Sequence, residues 1–139
     1  MPTCHNDDRI ELLLIEDNAG DALLVSQVAA ERRISVALRI ATDGDEALQM
    51  LADPEHYKPD LIILDLNLPK VPGLTFLERY RPKDVPVVIF SSSPNAVEIQ
   101  NAITLGARQF VRKPIDFRSF AEAVHGIIDR WTTQGCVTG

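Results

Sequence analysis

Residues 60–69 read DLIILDLNLP. Leu61 to Leu64 are continuously apolar, which is the pattern of a strand buried on both faces of a parallel sheet. The run ends on an acid, Asp65, with Leu66, Asn67, Leu68 and Pro69 directly behind it. A carboxylate at the end of a buried strand is costly unless it is paired or bound to metal. The residues that meet it there must therefore be sought elsewhere in the chain.

Four other runs have strand character: IELLLIE (10–16), SVALRIA (35–41), VPVVIFS (85–91) and RQFVR (108–112), with LIILD (61–65) in the middle. Helical patterns lie between them. Leu24, Val25, Val28 and Ala29 share a face in the first. The second opens on Asp43 with Glu46 three residues on, a capping-box spacing. LTFLERY (74–80) follows Gly73, and a fourth helix carries Ile99, Ala102 and Ile103 before Gly106, a C-terminal stop. Its start is ambiguous, because Ser91-Ser92-Ser93 before Pro94 could cap it and Asn95 with Glu98 offers a rival capping box. The last helix opens after Asp116 and sets Phe117, Phe120, Ala121, Val124, Ile128 and Trp131 on one stripe. Five strands alternating with five helices predict an α/β doubly wound fold with a parallel sheet.

The 139 residues fit one domain, 45% apolar and 24% charged. A net charge of −6 argues against nonspecific nucleic-acid binding, which needs a basic surface. Cys4 and Cys136 fall in predicted tails (1–8 and 132–139), so a disulfide framework is not expected. No apolar run approaches membrane-spanning length and the N-terminus is polar, which predicts a cytoplasmic protein without membrane association.

Ligands of doubly wound sheets bind outside the carboxyl ends of the strands, near the reversal of strand order. Those ends offer Glu16 and Asp17, then Asp43 at some distance, Asp65, Ser91 and Lys113. Carboxylates are hard oxygen ligands suited to Mg²⁺, which often bridges to phosphate. Mg²⁺, an amine and a hydroxyl together can stabilise a phosphoryl group in transfer. No phosphate-cradling glycine loop is present, so the protein itself is a candidate acceptor, with Asp65 forming an acyl phosphate. Singly, each residue has a plainer reading as a cap, a turn acid or a loop residue. Their common placement on one rim favours the shared site.

LLLIEDNAGD (12–21), DLIILDLNLPKVPGL (60–74), PVVIFSSS (86–93) and GARQFVRKP (106–114) together resemble the response-regulator receiver domain over residues 9–131. The resemblance implies a flavodoxin-like (βα)5 fold with strand order 2-1-3-4-5. It makes Asp65 the phosphoacceptor for a sensor histidine kinase, and it assigns Mg²⁺ to Glu16, Asp17, Asp65 and the main-chain carbonyl of Asn67. Lys113 is then the phosphoryl-pairing lysine, Ser91 the switch hydroxyl and Phe110 the switch aromatic. It also implies a cis Lys113–Pro114 bond and a part for Asn67 and Ser93 in tuning dephosphorylation. The resemblance further implies a signalling phosphoacceptor that is no enzyme and assists only its own phosphorylation and dephosphorylation.

EDNAGD, DLNLP and FAEAVHGIIDRW resemble stand-alone regulators paired with phytochrome-type kinases. Only TTQGCVTG follows Trp131, so output is expected through a downstream protein or a phosphotransfer partner. Ile127, Ile128 and Trp131 are candidates for a homodimer surface. Val71-Pro72 departs from the commoner pattern and stiffens the loop after the acceptor. Aspartyl phosphatases place DxD after their first strand, whereas DLN (65–67) follows the third. G-x-G-x-x-G and Walker motifs are absent. The remaining alternative is a pseudo-receiver that binds partners without accepting phosphate.

Overall fold

The structure is a computed structural model and describes residues 9–31, 35–81, 84–92 and 95–133. Strands β1 (Arg9–Ile15), β2 (Ser35–Ala41), β3 (Leu61–Leu64), β4 (Val87–Ser91) and β5 (Gln109–Arg112) alternate with five helices. These are α1 (Ala19–Ala30), α2 (Gly44–Met50), α3 (Gly73–Tyr80), α4 (Ala96–Thr104) and α5 (Phe117–Thr133). The strands form one parallel sheet in the order β2-β1-β3-β4-β5, as the resemblance implied.

Alternation along the central strands divides the core into two layers. Leu13, Ile15, Ile62, Leu64, Val87 and Ile89 face α2, α3 and α4, where Ala47, Phe76, Leu77 and Ala102 cover them. Leu12, Leu14, Leu61, Ile63, Val88 and Phe90 face α1 and α5, meeting Val25, Val28, Phe120 and Val124. β1, β3 and β4 are thus apolar on both sides because both sides are covered. β2 lies at an edge, and its Arg39 and Ile40 are exposed.

Local signals set the helix starts. Asn18, Asp43 and Asn95 cap α1, α2 and α4, each side chain accepting from the main chain three residues on. α4 resolves the ambiguity in favour of the Asn95–Glu98 capping box. In α2 the box is shifted, with Glu46 accepting from Thr42 N at 2.7 Å. Gly106 follows α4 with a φ of 112°, a left-handed conformation that glycine adopts without a Cβ penalty.

Three expectations are corrected. Phe117 is exposed, because it opens α5 at the sheet's rim and the apolar stripe begins at Phe120. α5 continues through Thr133, so the predicted tail from 132 is shortened by two residues, and Thr132 is buried. Ile127 and Ile128 are 3% and 1% exposed, packed against α1 and the sheet, so they form core and no dimer surface. Trp131 is half-buried, its indole N–H donating to Gln109 Oε1 at 2.7 Å. The tail at 1–8, Cys4, Ser93 and Cys136 lie outside the described residues. Among the described residues, no helix is long and apolar enough to cross a membrane.

Candidate functional site

Since β2 and β3 flank β1 on opposite sides, the strand order reverses at β1, and ligand chemistry is expected above the ends of β1 and β3. Main-chain pairing runs one residue past each strand end. Glu16 N–H donates to the Ala41 carbonyl at 2.9 Å, Asp65 N–H to Ile15 at 3.1 Å, and Lys113 N–H to Ser91 at 2.9 Å. These bonds bring Glu16, Asp65 and Lys113 to one rim. Ser91 ends β4 beside them.

All four side chains are deeply buried: Glu16 is 3% exposed, Asp65 6%, Ser91 1% and Lys113 7%. The Lys113 ammonium lies 2.6 Å from Glu16 Oε1, 2.8 Å from Asp65 Oδ2 and 2.9 Å from Asp21 Oδ2. Asp65 Oδ1 accepts from Ser91 Oγ at 3.1 Å and from the Asn67 main-chain N–H at 2.9 Å. Both oxygens of the buried aspartate are therefore matched by donors, the pairing its burial demands. Asp17 is exposed, yet Glu16, Asp17 and Asp65 each bring a carboxylate oxygen within 4.8 Å of the others. A divalent cation with hard oxygen preference fits this donor set.

Three carboxylates, those of Glu16, Asp21 and Asp65, surround one ammonium. Burial pushes the Glu16 carboxyl from its ordinary value near 4.5 up to about 7; the neighbouring Asp65 charge adds to the rise, and the hydrogen bond and charge of Lys113 oppose it. Burial disfavours charged Lys113, but hydrogen bonds to Asp65, Glu16 and Asp21 outweigh this and raise its pKa above the ordinary lysine range. The lysine remains an ammonium.

The structure thus gathers Glu16, Asp17, Asp65, Ser91, Lys113 and the Asn67 main chain. Asp43 stands apart as the α2 cap, 3.8 Å from Lys70. Phe110, half-buried on β5, packs against the α2–α4 layer. The Lys113–Pro114 bond is trans, contrary to expectation; the trans isomer is intrinsically favoured before proline, and the three ion pairs hold the lysine. Sequence reasoning gave Asp21 no role. Its signal was its position in EDNAGD, the third residue of α1, where an acid ordinarily completes a capping box.

A parallel five-stranded sheet in this order, with acids at its switch point and a lysine after β5, defines a doubly wound α/β domain of the receiver class. The chain belongs to the response regulator receiver domain family, whose description matches residues 12–125. It is 31% identical to Response regulator Rcp1 of Synechocystis over 128 residues, covering 86% of this chain and 87% of Rcp1. Similarity also extends to a protein-glutamate methylesterase/protein-glutamine glutaminase of Myxococcus xanthus, 36% identical over 107 residues. That match covers 76% of this chain and 30% of the relative, so the chain spans about a third of such a protein's length. Among solved structures, the phosphorylated cyanobacterial phytochrome response regulator RcpA superposes with a TM-score of 0.86 at 27% identity, covering 94% of this chain and 99% of that one. The Mn²⁺-bound form of Rcp1 gives 0.79 at 30% identity, covering 88% of this chain and 94% of that one.

Proposed function

We propose that this receiver domain accepts a phosphoryl group from a sensor histidine kinase on Asp65 in a Mg²⁺-dependent reaction. The observation that carries the reading is the Asp65 carboxylate, buried at the switch point with Lys113 on one oxygen and Ser91 and the Asn67 N–H on the other. An Asp65 oxygen attacks phosphorus in line, the new O–P bond forms, and the P–N bond to the kinase imidazole breaks with its electron pair on nitrogen. Glu16, Asp17 and Asp65, with the Asn67 carbonyl, would hold Mg²⁺. When bound, the cation supplies charge that offsets repulsion between the carboxylate and the incoming anion. Lys113 steadies the transferred group, and Ser91 turns its hydroxyl from the carboxylate to a phosphoryl oxygen. Phe110, already packed at the edge of the core, follows by a packing change, since it has no hydroxyl for a hydrogen-bond relay. Exposed Asn67, together with Ser93, tunes the approach of hydrolytic water.

The similarity to the cyanobacterial phytochrome response regulator RcpA supports a phytochrome-type kinase as the donor, and a protein or phosphotransfer partner then receives the signal downstream. Incubation with acetyl phosphate followed by intact-mass measurement tests the central reading. A Mg²⁺-dependent gain of one phosphoryl group, lost in Asp65→Ala, is the expected outcome. No gain from acetyl phosphate or from a phytochrome-type kinase would leave a phosphorylation-independent binding module.

A further inference from the structure

Asp21 lies on the first turn of α1, 92 residues from Lys113 in sequence, yet its Oδ2 accepts from the ammonium at 2.9 Å. An acid at this helix position ordinarily reaches back to the N-cap main-chain N–H. Here that donor is taken: Asn18 N–H donates to Glu16 Oε2 at 3.1 Å. Asn18 in turn caps the main-chain N–H of Asp21 at 2.9 Å. The Asp21 carboxylate is thereby freed from capping duty and faces the lysine.

An ammonium has three N–H donors and no acceptor. Glu16, Asp65 and Asp21 occupy all three. A phosphoryl oxygen can receive a hydrogen bond from Lys113 only if one of these partners yields. Asp21 is the most exposed of them, its side chain 28% accessible against 2% for Glu16 and 8% for Asp65, so water can most readily replace its contact.

Building on the phosphoacceptor reading above, we propose that Asp21 is a positioning residue that restrains Lys113 at rest and yields an N–H when phosphate arrives. It acts through the lysine and slows phosphorylation by keeping that donor engaged. The test is the rate of phosphoryl gain from acetyl phosphate in saturating Mg²⁺, followed by intact mass, for wild type, Asp21→Asn, Asp21→Ala and Asp21→Glu. Melting curves establish that each chain is folded, and Asp21→Ser replaces any variant that is not. Asp21→Asn and Asp21→Ala are expected to react about fivefold faster, the scale of one partly exposed ion pair, while Asp21→Glu stays within about twofold of wild type. The acceleration should persist in high salt, which screens a general field effect but leaves a direct contact largely intact. Equal or slower reaction of Asp21→Asn, or an acceleration abolished by salt, overturns the inference alone. A wild-type chain that gains no phosphoryl group overturns the phosphoacceptor reading and this inference with it.

Discussion

Burial favours the neutral acid at Glu16, whereas a divalent cation at the same rim requires the carboxylate. Without metal, the folded chain holds this proton to about pH 7, while the ordinary value is near 4.5. The stability contributed by this group is complete below about 4.5 and is lost as pH rises through about 7. Thermal unfolding in chelator should therefore show a fall in melting temperature between about pH 5 and pH 8 that shrinks in Glu16→Gln. Added Mg²⁺ should restore stability at the higher pH, because it binds the folded state alone, and its apparent affinity should rise as Glu16 loses its proton. An identical pH slope in Glu16→Gln would contradict the assignment. The sequence showed that Glu16 ends a strand; the ammonium against it comes from 97 residues away, beyond the reach of local pattern.

Helix starts depend on residues three apart, and Asn18, Asp43 and Asn95 act as caps in keeping with their sequence context. The loop after Asp65 is a different case. Lys70 there has a φ of 61°, and Val71 packs so tightly on the α2 N-terminus that a Cβ on Gly44 would lie 2.7 Å from the Val71 carbonyl oxygen and 2.8 Å from its Cγ1. Gly73 leaves similarly little room, its added Cβ falling 2.7 Å from Leu66 Cα. The acceptor loop is thus clamped between α2 and its own start. Gly44→Ala should destabilise the fold by about 1–3 kcal/mol, as overpacking does, with part of the loss recovered by Val71→Ala as the side-chain clash is relieved. Denaturant midpoints of the two single variants and the double variant measure this; strict additivity would dissociate the two sites. Val71-Pro72 was conspicuous in the sequence as a stiff pair, but its partner was not, because nothing near position 71 encodes Gly44.

Over the whole molecule, stability rests on two apolar layers sharing one sheet. Phe76 is fully buried in the α2–α4 layer and stacks on Tyr80 with ring centroids 5.4 Å apart. Phe120 fills the opposite layer edge-to-face with Phe90 at 5.1 Å. Phe76→Ala should lower stability by about 3–5 kcal/mol, read as a drop in the denaturant midpoint. Phosphoryl gain from acetyl phosphate should persist where the variant stays folded, since Phe76 belongs to the apolar α2–α4 layer and stacks on Tyr80. Loss of phosphoryl gain in a folded variant would show that this layer governs the site directly.

Periodicity, caps and apolar runs determined five strands, five helices and their alternation, because side-chain burial imposes periods of two and 3.6 on the chain itself. They also determined that Glu16, Asp17, Asp65, Ser91 and Lys113 fall at strand ends, and resemblance supplied the strand order. Tertiary structure decided which partner each charge meets: the third carboxylate on Lys113, the Val71–Gly44 contact, the burial of Ile127 and Ile128, and the trans Lys113–Pro114 bond. The division has one physical cause. Burial pattern is written locally along each element, whereas ion pairs and close packing depend on the positions of residues that meet only when the sheet is assembled.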